Sequence, residues 1–91
     1  MSYETLIDEP VNVWVFFDSG KEAKSNRVSP VAMNWQRRLV KFEKLILVTS
    51  KRVGQVKVFN FVCASETSNF ELEYNSETQA WKVVKVMPKD G

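Results

Sequence analysis

Between residues 55 and 87 the chain alternates apolar and polar side chains in three runs, 56–64, 69–75 and 80–86. Two polar four-residue connectors part them, Ser65-Glu66-Thr67-Ser68 and Ser76-Glu77-Thr78-Gln79. Period-two alternation broken by short polar connectors predicts antiparallel hairpins. If each connector closes a hairpin, Ala64 faces Asn69 and Asn75 faces Ala80. That register sets Phe59 opposite Tyr74, Phe61 opposite Leu72 and Cys63 opposite Phe70. It then sets Tyr74 opposite Trp81 and Leu72 opposite Val83. These residues share one face, because strand side chains alternate sides. Asn60, Glu71, Glu73, Lys82 and Val84 take the other, with Glu73 set against Lys82. A one-residue slip would turn Phe59, Phe61 and Trp81 into water, so the register is strongly specified.

The rest of the chain is read as packing around this unit. Residues 1–9 are polar and acidic and are expected to be a loosely ordered leader. Pro10 introduces a strand over 11–18, where Val11, Val13, Val15 and Phe17 alternate with Asn12, Trp14 and Phe16. Both faces are apolar from Trp14 to Phe17, which calls for cover on both sides or for a partner. Residues 19–29 are polar, hold a glycine and show neither period, the pattern of a mobile loop. Residues 88–91 form a tail.

Residues 30–48 admit two readings. As strands, Val31, Met33 and Trp35 alternate, Gln36-Arg37-Arg38 turns, and Val40 and Phe42 return. The phase then slips, with Leu45 and Leu47 on one side and Ile46 and Val48 on the other. Such a slip predicts a bulge near Glu43-Lys44, where a small sheet bends. As a helix, Trp35, Leu39, Phe42 and Ile46 form a stripe that Asn34 would cap. The strand reading is preferred, since no glycine closes the helix, no acid supports its first turn and 46–49 is β-rich. The expectation is one all-β domain over 1–91: about six antiparallel strands in a meander, as a strongly bent sheet or small partly open barrel.

The pattern Glu9-Pro10-Val11-x-Val13, Pro30-Val31-Ala32-x-x-Trp35, Phe70-Glu71-Leu72 and Trp81-x-Val83 resembles a group of small uncharacterised prokaryotic domains. These carry a Glu-Pro-Val start, a Pro-x-x-Phe-x-Trp-x-Gly-Arg hairpin and a late Glu-Leu strand ending in tryptophan. The chain departs from that pattern at Gln36 and Arg37, the latter in place of the glycine, and at Ala32-Met33, where an aromatic is absent. The resemblance implies an all-β fold and no particular activity.

Composition narrows the chemistry. There is no histidine, which removes the commonest general base, the histidine-activated nucleophiles and the commonest zinc ligand. A single cysteine excludes an intramolecular disulfide and a structural zinc site, and Cys63 is expected to be a buried apolar side chain. The three glycines are scattered, so no phosphate-cradling loop is present. The acids fall in turns or alternate outward. These features predict a protein that is not an enzyme and needs no metal or cofactor. No charged segment followed by an apolar run opens the sequence, and no apolar run approaches the roughly 20 residues of a membrane span. A soluble cytoplasmic chain is expected.

Charge is unevenly placed. The net +2 conceals −4 over residues 1–18, +8 over 19–60, −4 over 61–79 and +2 over 80–91. Two binding readings follow. Surplus apolar strand surface, with Trp14, Phe16, Leu45 and Leu47 as the candidate interface, predicts an interaction module that pairs with another protein or a second copy of itself. Alternatively, a basic side built from residues 19–60 would bind nucleic acid. Arg37, Arg38, Lys41, Lys51, Arg52 and Lys57 would contact phosphates there, with Trp35 or Trp14 stacking on bases. The interaction reading is preferred.

Overall fold

The computed structural model describes residues 5–19 and 28–89, which are all-β. Seven strands follow one another: β1 (Thr5–Phe17), β2 (Val28–Trp35), β3 (Arg38–Lys41), β4 (Lys44–Val53), β5 (Val56–Ala64), β6 (Ser68–Asn75) and β7 (Ala80–Pro88). They make one antiparallel sheet in the order β3-β2-β1-β7-β6-β5-β4. The order is meander-like, since every neighbour is consecutive in sequence except β1 and β7. Among the described residues no helix is long and apolar enough to cross a membrane.

The link between β3 and β4 dictates the curvature. These strands stand at opposite edges of the order, yet only Phe42 and Glu43 connect them. Six steps of about 4.8 Å would hold the edges of a flat sheet nearly 30 Å apart. Two intervening residues span only about 11 Å. The sheet therefore curls until its edges meet at this corner. Phe42 N–H donates to Val31 O on β2 at 3.0 Å, and Glu43 N–H donates to Ala64 O on β5 at 2.6 Å. β3 and β4 pair with different strands and not with each other, so the sheet is not closed into a barrel. β1 turns a similar corner: its first half pairs with β7 and its second half with β2.

The expected central register holds at every pair. Phe59 lies opposite Tyr74, Phe61 opposite Leu72, Cys63 opposite Phe70, Tyr74 opposite Trp81 and Leu72 opposite Val83. On the outer face Lys82 Nζ reaches Glu73 at 3.3 Å and Asp8 at 2.7 Å. Asn60 Nδ2 donates to Glu71 Oε2 at 2.8 Å.

Local chemistry fixes the turns. Gly54, with φ 64°, opens the two-residue β4–β5 hairpin, a place where positive φ carries no side-chain penalty. The β2–β3 hairpin is also a two-residue turn, but Gln36 (φ 51°) and Arg37 (φ 64°) both sit in the left-handed region. Between β6 and β7, Asn75 Oδ1 accepts from the Glu77 and Thr78 N–H groups at 2.9 and 3.1 Å, which holds the loop without glycine.

Several expectations are corrected. Strand β1 covers Thr5–Phe17, and Thr5, Leu6 and Glu9 pair with β7, so residues 5–9 are strand and not a loose leader; residues 1–4 of the expected leader lie outside the described residues. Val28 and Ser29 already belong to β2, and residues 20–27 of the expected mobile loop lie outside the described residues. Pro88 ends β7, so the expected 88–91 tail starts one residue later; residues 90–91 lie outside the described residues. Residues 35–48 are strand and turn, which overturns the helical alternative. The strand count rises to seven because the Phe42–Glu43 corner divides what was read as one run. The phase slip is a bulge at Ile46, with Leu45 opposite Cys63 and Leu47 opposite Val62. It sends Leu45 and Val48 inward and leaves Ile46 and Leu47 outside. Leu45 therefore packs, partly buried, on the core, apart from the exposed Leu47.

The core lies inside the curl. Met33, Cys63, Leu72 and Val83 are fully buried, with Phe61 and Phe70 beside them. Trp35 and Phe42 close the end nearest the corner, their rings edge-on to Phe70 at 5.4 and 6.1 Å. Burial pushes the Cys63 thiol up to about 12.

Candidate binding surfaces

Two surfaces stand out once the residues are placed. The first is the outer face of β1, β2 and β3. Registered rows run Asn12–Asn34–Leu39 and Trp14–Ala32–Lys41, with Phe16 beside Ser29. Val31 is the extra residue between the partners of Trp14 and Val15, a bulge that accommodates Pro30, which has no N–H to give. Trp14 is 52% exposed and Phe16 57%. Val31 and Leu39 are exposed beside them, and Lys41 is the one charged residue in these rows. Leu47 is also exposed, but it stands on β4.

The second surface is the end of the curl away from the Phe42–Glu43 corner. There the inward rows of β5, β6 and β7 bring four rings together, Phe61 buried and Phe59, Tyr74 and Trp81 half-buried. Tyr74 and Trp81 lie 4.8 Å apart, Phe61 and Trp81 5.2 Å, Phe59 and Phe61 6.3 Å, and Phe59 and Tyr74 6.4 Å. Val15, Phe17 and Val28 cross over from β1 and β2, and Gln79 enters from the β6–β7 loop. Together they enclose a half-open cavity of about 250 Å³. At its rim Lys57 Nζ sits 5.2 Å from the centre of the Phe59 ring, a cation–π contact. Arg52 is the cross-strand partner of Lys57 and shares its face.

The basic residues singled out in the sequence are not brought onto one side. Strands β2 and β5 run the same way through the alternating order. Arg37 and Arg38 follow the end of β2, whereas Lys51, Arg52 and Lys57 gather at the start of β5. The two groups lie at opposite ends of the curl, and Lys41 stands apart on the outer face of β3. Trp35 is half-buried against Phe70, and its indole N–H is buried without a partner. Lys82 donates hydrogen bonds to Asp8 and to Glu73, and these, Asp8 first, hold its ammonium above the ordinary lysine range. It lies on the outer face, away from the cavity. Among the described residues no group of three or more histidine, cysteine or acidic side chains is placed to hold a metal ion.

Sequence reasoning assigned Phe59, Phe61, Tyr74 and Trp81 wholly to the core and missed the cavity. One signal was available: Lys57 has the same parity as Phe59, so a cation heads an inward-facing aromatic row. Compared with protein-family models, curated proteins and solved structures, the chain matches none.

Proposed function

We propose that this chain is a non-catalytic cytoplasmic interaction module that self-associates through the outer face of β1, β2 and β3. The observation that carries the reading is the adjacent exposure of Trp14 and Phe16 on a face with a single charge. Aromatic side chains are enriched at interfaces and charges are depleted at their centres. A near-neutral apolar face also meets its own copy across a two-fold axis without opposing like charges. The β4 edge suits that role less, because Lys44, Lys51 and Arg52 put like charge along it.

Three strands about 4.8 Å apart, over some six residues of about 3.3 Å, present on the order of 300 Å². Standard interfaces bury roughly 800 Å² per partner. A weak, concentration-dependent dimer is therefore expected. Sedimentation velocity across a wide concentration range tests it: Trp14→Glu should abolish the dimer and leave the fold intact. A wild-type chain that stays monomeric at every concentration overturns the reading. The alternative of a continuous basic side for nucleic acid has less support, since among the described residues Arg37 and Arg38 stand at one end of the curl and Lys51, Arg52 and Lys57 at the other, and Trp35 is half-buried.

A further inference from the structure

We propose that the cavity lined by Phe59, Phe61, Tyr74 and Trp81 binds a nucleotide unit, its base on the rings and its phosphate on Lys57 and Arg52. The proposal is independent of self-association, which uses the opposite surface of the sheet.

The first support is a charge pair that the fold leaves unresolved. Arg52 and Lys57 are directly opposed across β4 and β5. Like charges directly opposite on one face destabilise a sheet. Neither takes part in an ion pair among the described residues. An anion seated between the two cations removes the repulsion. Arginine is suited to phosphate, because its planar fork donates two parallel hydrogen bonds.

The second support is the spacing. Lys57 stands two residues before Phe59 on the same face of β5, and its Nζ lies 5.2 Å from the Phe59 ring centre. A base seated on the rings therefore brings a phosphate attached to it within reach of this cation. The cavity volume of about 250 Å³ accepts one flat heterocycle and not a stack of them. Aromatic rings bind bases through their π-faces with little sequence preference. Gln79 lines the same cavity and brings a carboxamide that both donates and accepts, the complement of a base edge. Its position is fixed by the β6–β7 loop, where Gln79 N–H donates to Asn75 O at 2.7 Å.

The ligand chemistry, a base with a phosphate, has two sources: a free nucleotide or a nucleotide within a single strand. Calorimetric titration of the full chain with adenosine monophosphate, adenosine and a short oligodeoxyadenylate distinguishes them. Adenosine is expected to bind about tenfold more weakly than its monophosphate, as loss of a charge-assisted contact implies. Raising salt from about 50 to 200 mM should weaken the phosphate-bearing ligands and not adenosine. Removing a ring also removes core, so the rim carries the test. Lys57→Glu and Arg52→Glu should each cost about tenfold or more in affinity, with circular dichroism unchanged. Binding of the monophosphate assigns a free nucleotide, and binding of the oligonucleotide alone assigns a strand. Absence of both at millimolar concentration overturns the proposal, as does wild-type affinity in the rim variants. So does a tryptophan peptide flanked by aspartates that binds where both nucleotides fail, since it gives the cavity to a protein side chain.

Discussion

Phe42 and Glu43 are neighbours in sequence, yet their N–H groups bind opposite halves of the sheet, to Val31 O and to Ala64 O. This pair of bonds converts an open meander into a curl with an inside. Glu43→Pro removes the second donor and leaves the Ala64 carbonyl, on a residue only 1% exposed, without its partner. An unsatisfied buried carbonyl costs about 1–3 kcal/mol. Urea unfolding should register that loss. Glu43→Ala keeps the N–H and loses only the exposed contact with Lys89 at 3.0 Å, so it should cost less than about 1 kcal/mol.

The β2–β3 turn stores strain that substitution can release. Gln36 and Arg37 both hold positive φ, which the twist of a two-residue hairpin favours and ordinary side chains resist. Asparagine and glycine accept it. The double change Gln36→Asn with Arg37→Gly is expected to raise stability by about 0.5–1 kcal/mol, read as a higher melting temperature. An unchanged or lower melting temperature would show that the turn is relaxed as it stands.

How much of this was legible follows from the range of each interaction. The β5–β6–β7 register could be read because Phe59, Phe61, Leu72 and Trp81 leave only one pairing that buries them all, and short connectors bring the strands together. The corner at Phe42–Glu43 could not, because its two bonds join segments distant in sequence and depend on the sheet already being curled. Ile46 shows the same limit. Alternation revealed that the phase slips, but not which residue is extra, so Leu45 was placed outside when it packs inside. The cavity was hidden for a related reason: an aromatic row looks identical in sequence whether the strands opposite cover it or stop short.

Cys63 makes a pH prediction with a definite sign. Burial raises its thiol from the ordinary 9.0 to about 12, so the folded chain keeps a proton that the unfolded chain releases. The stabilisation is complete below about pH 9 and is lost as pH rises towards the folded value. Unfolding free energy should therefore fall between pH 9 and about 12, and Cys63→Ala should lack that component. The thiol should also resist a disulfide reagent at neutral pH until the chain unfolds, because the thiolate is the reactive form. Labelling much faster than unfolding would contradict its burial.

Strand β4 is an exposed edge that carries charge along an apolar run. It is ten residues long, pairs only with β5 along its length, and leaves Ile46, Leu47 and Val53 exposed. Apolar edge strands with unpaired N–H and C=O groups template aggregation, and lysine on the edge is a common defence. Lys44 and Lys51 are placed to supply it. Replacing both with valine removes charge from a strand already rich in β-formers and should produce concentration-dependent aggregation, detectable by thioflavin fluorescence. Leu47→Lys should act in the opposite sense and raise solubility, since Leu47 packs outside the core. If the doubly substituted chain stays as soluble as the wild type, β4 is covered by something other than charge, and a strand from a partner is the natural occupant.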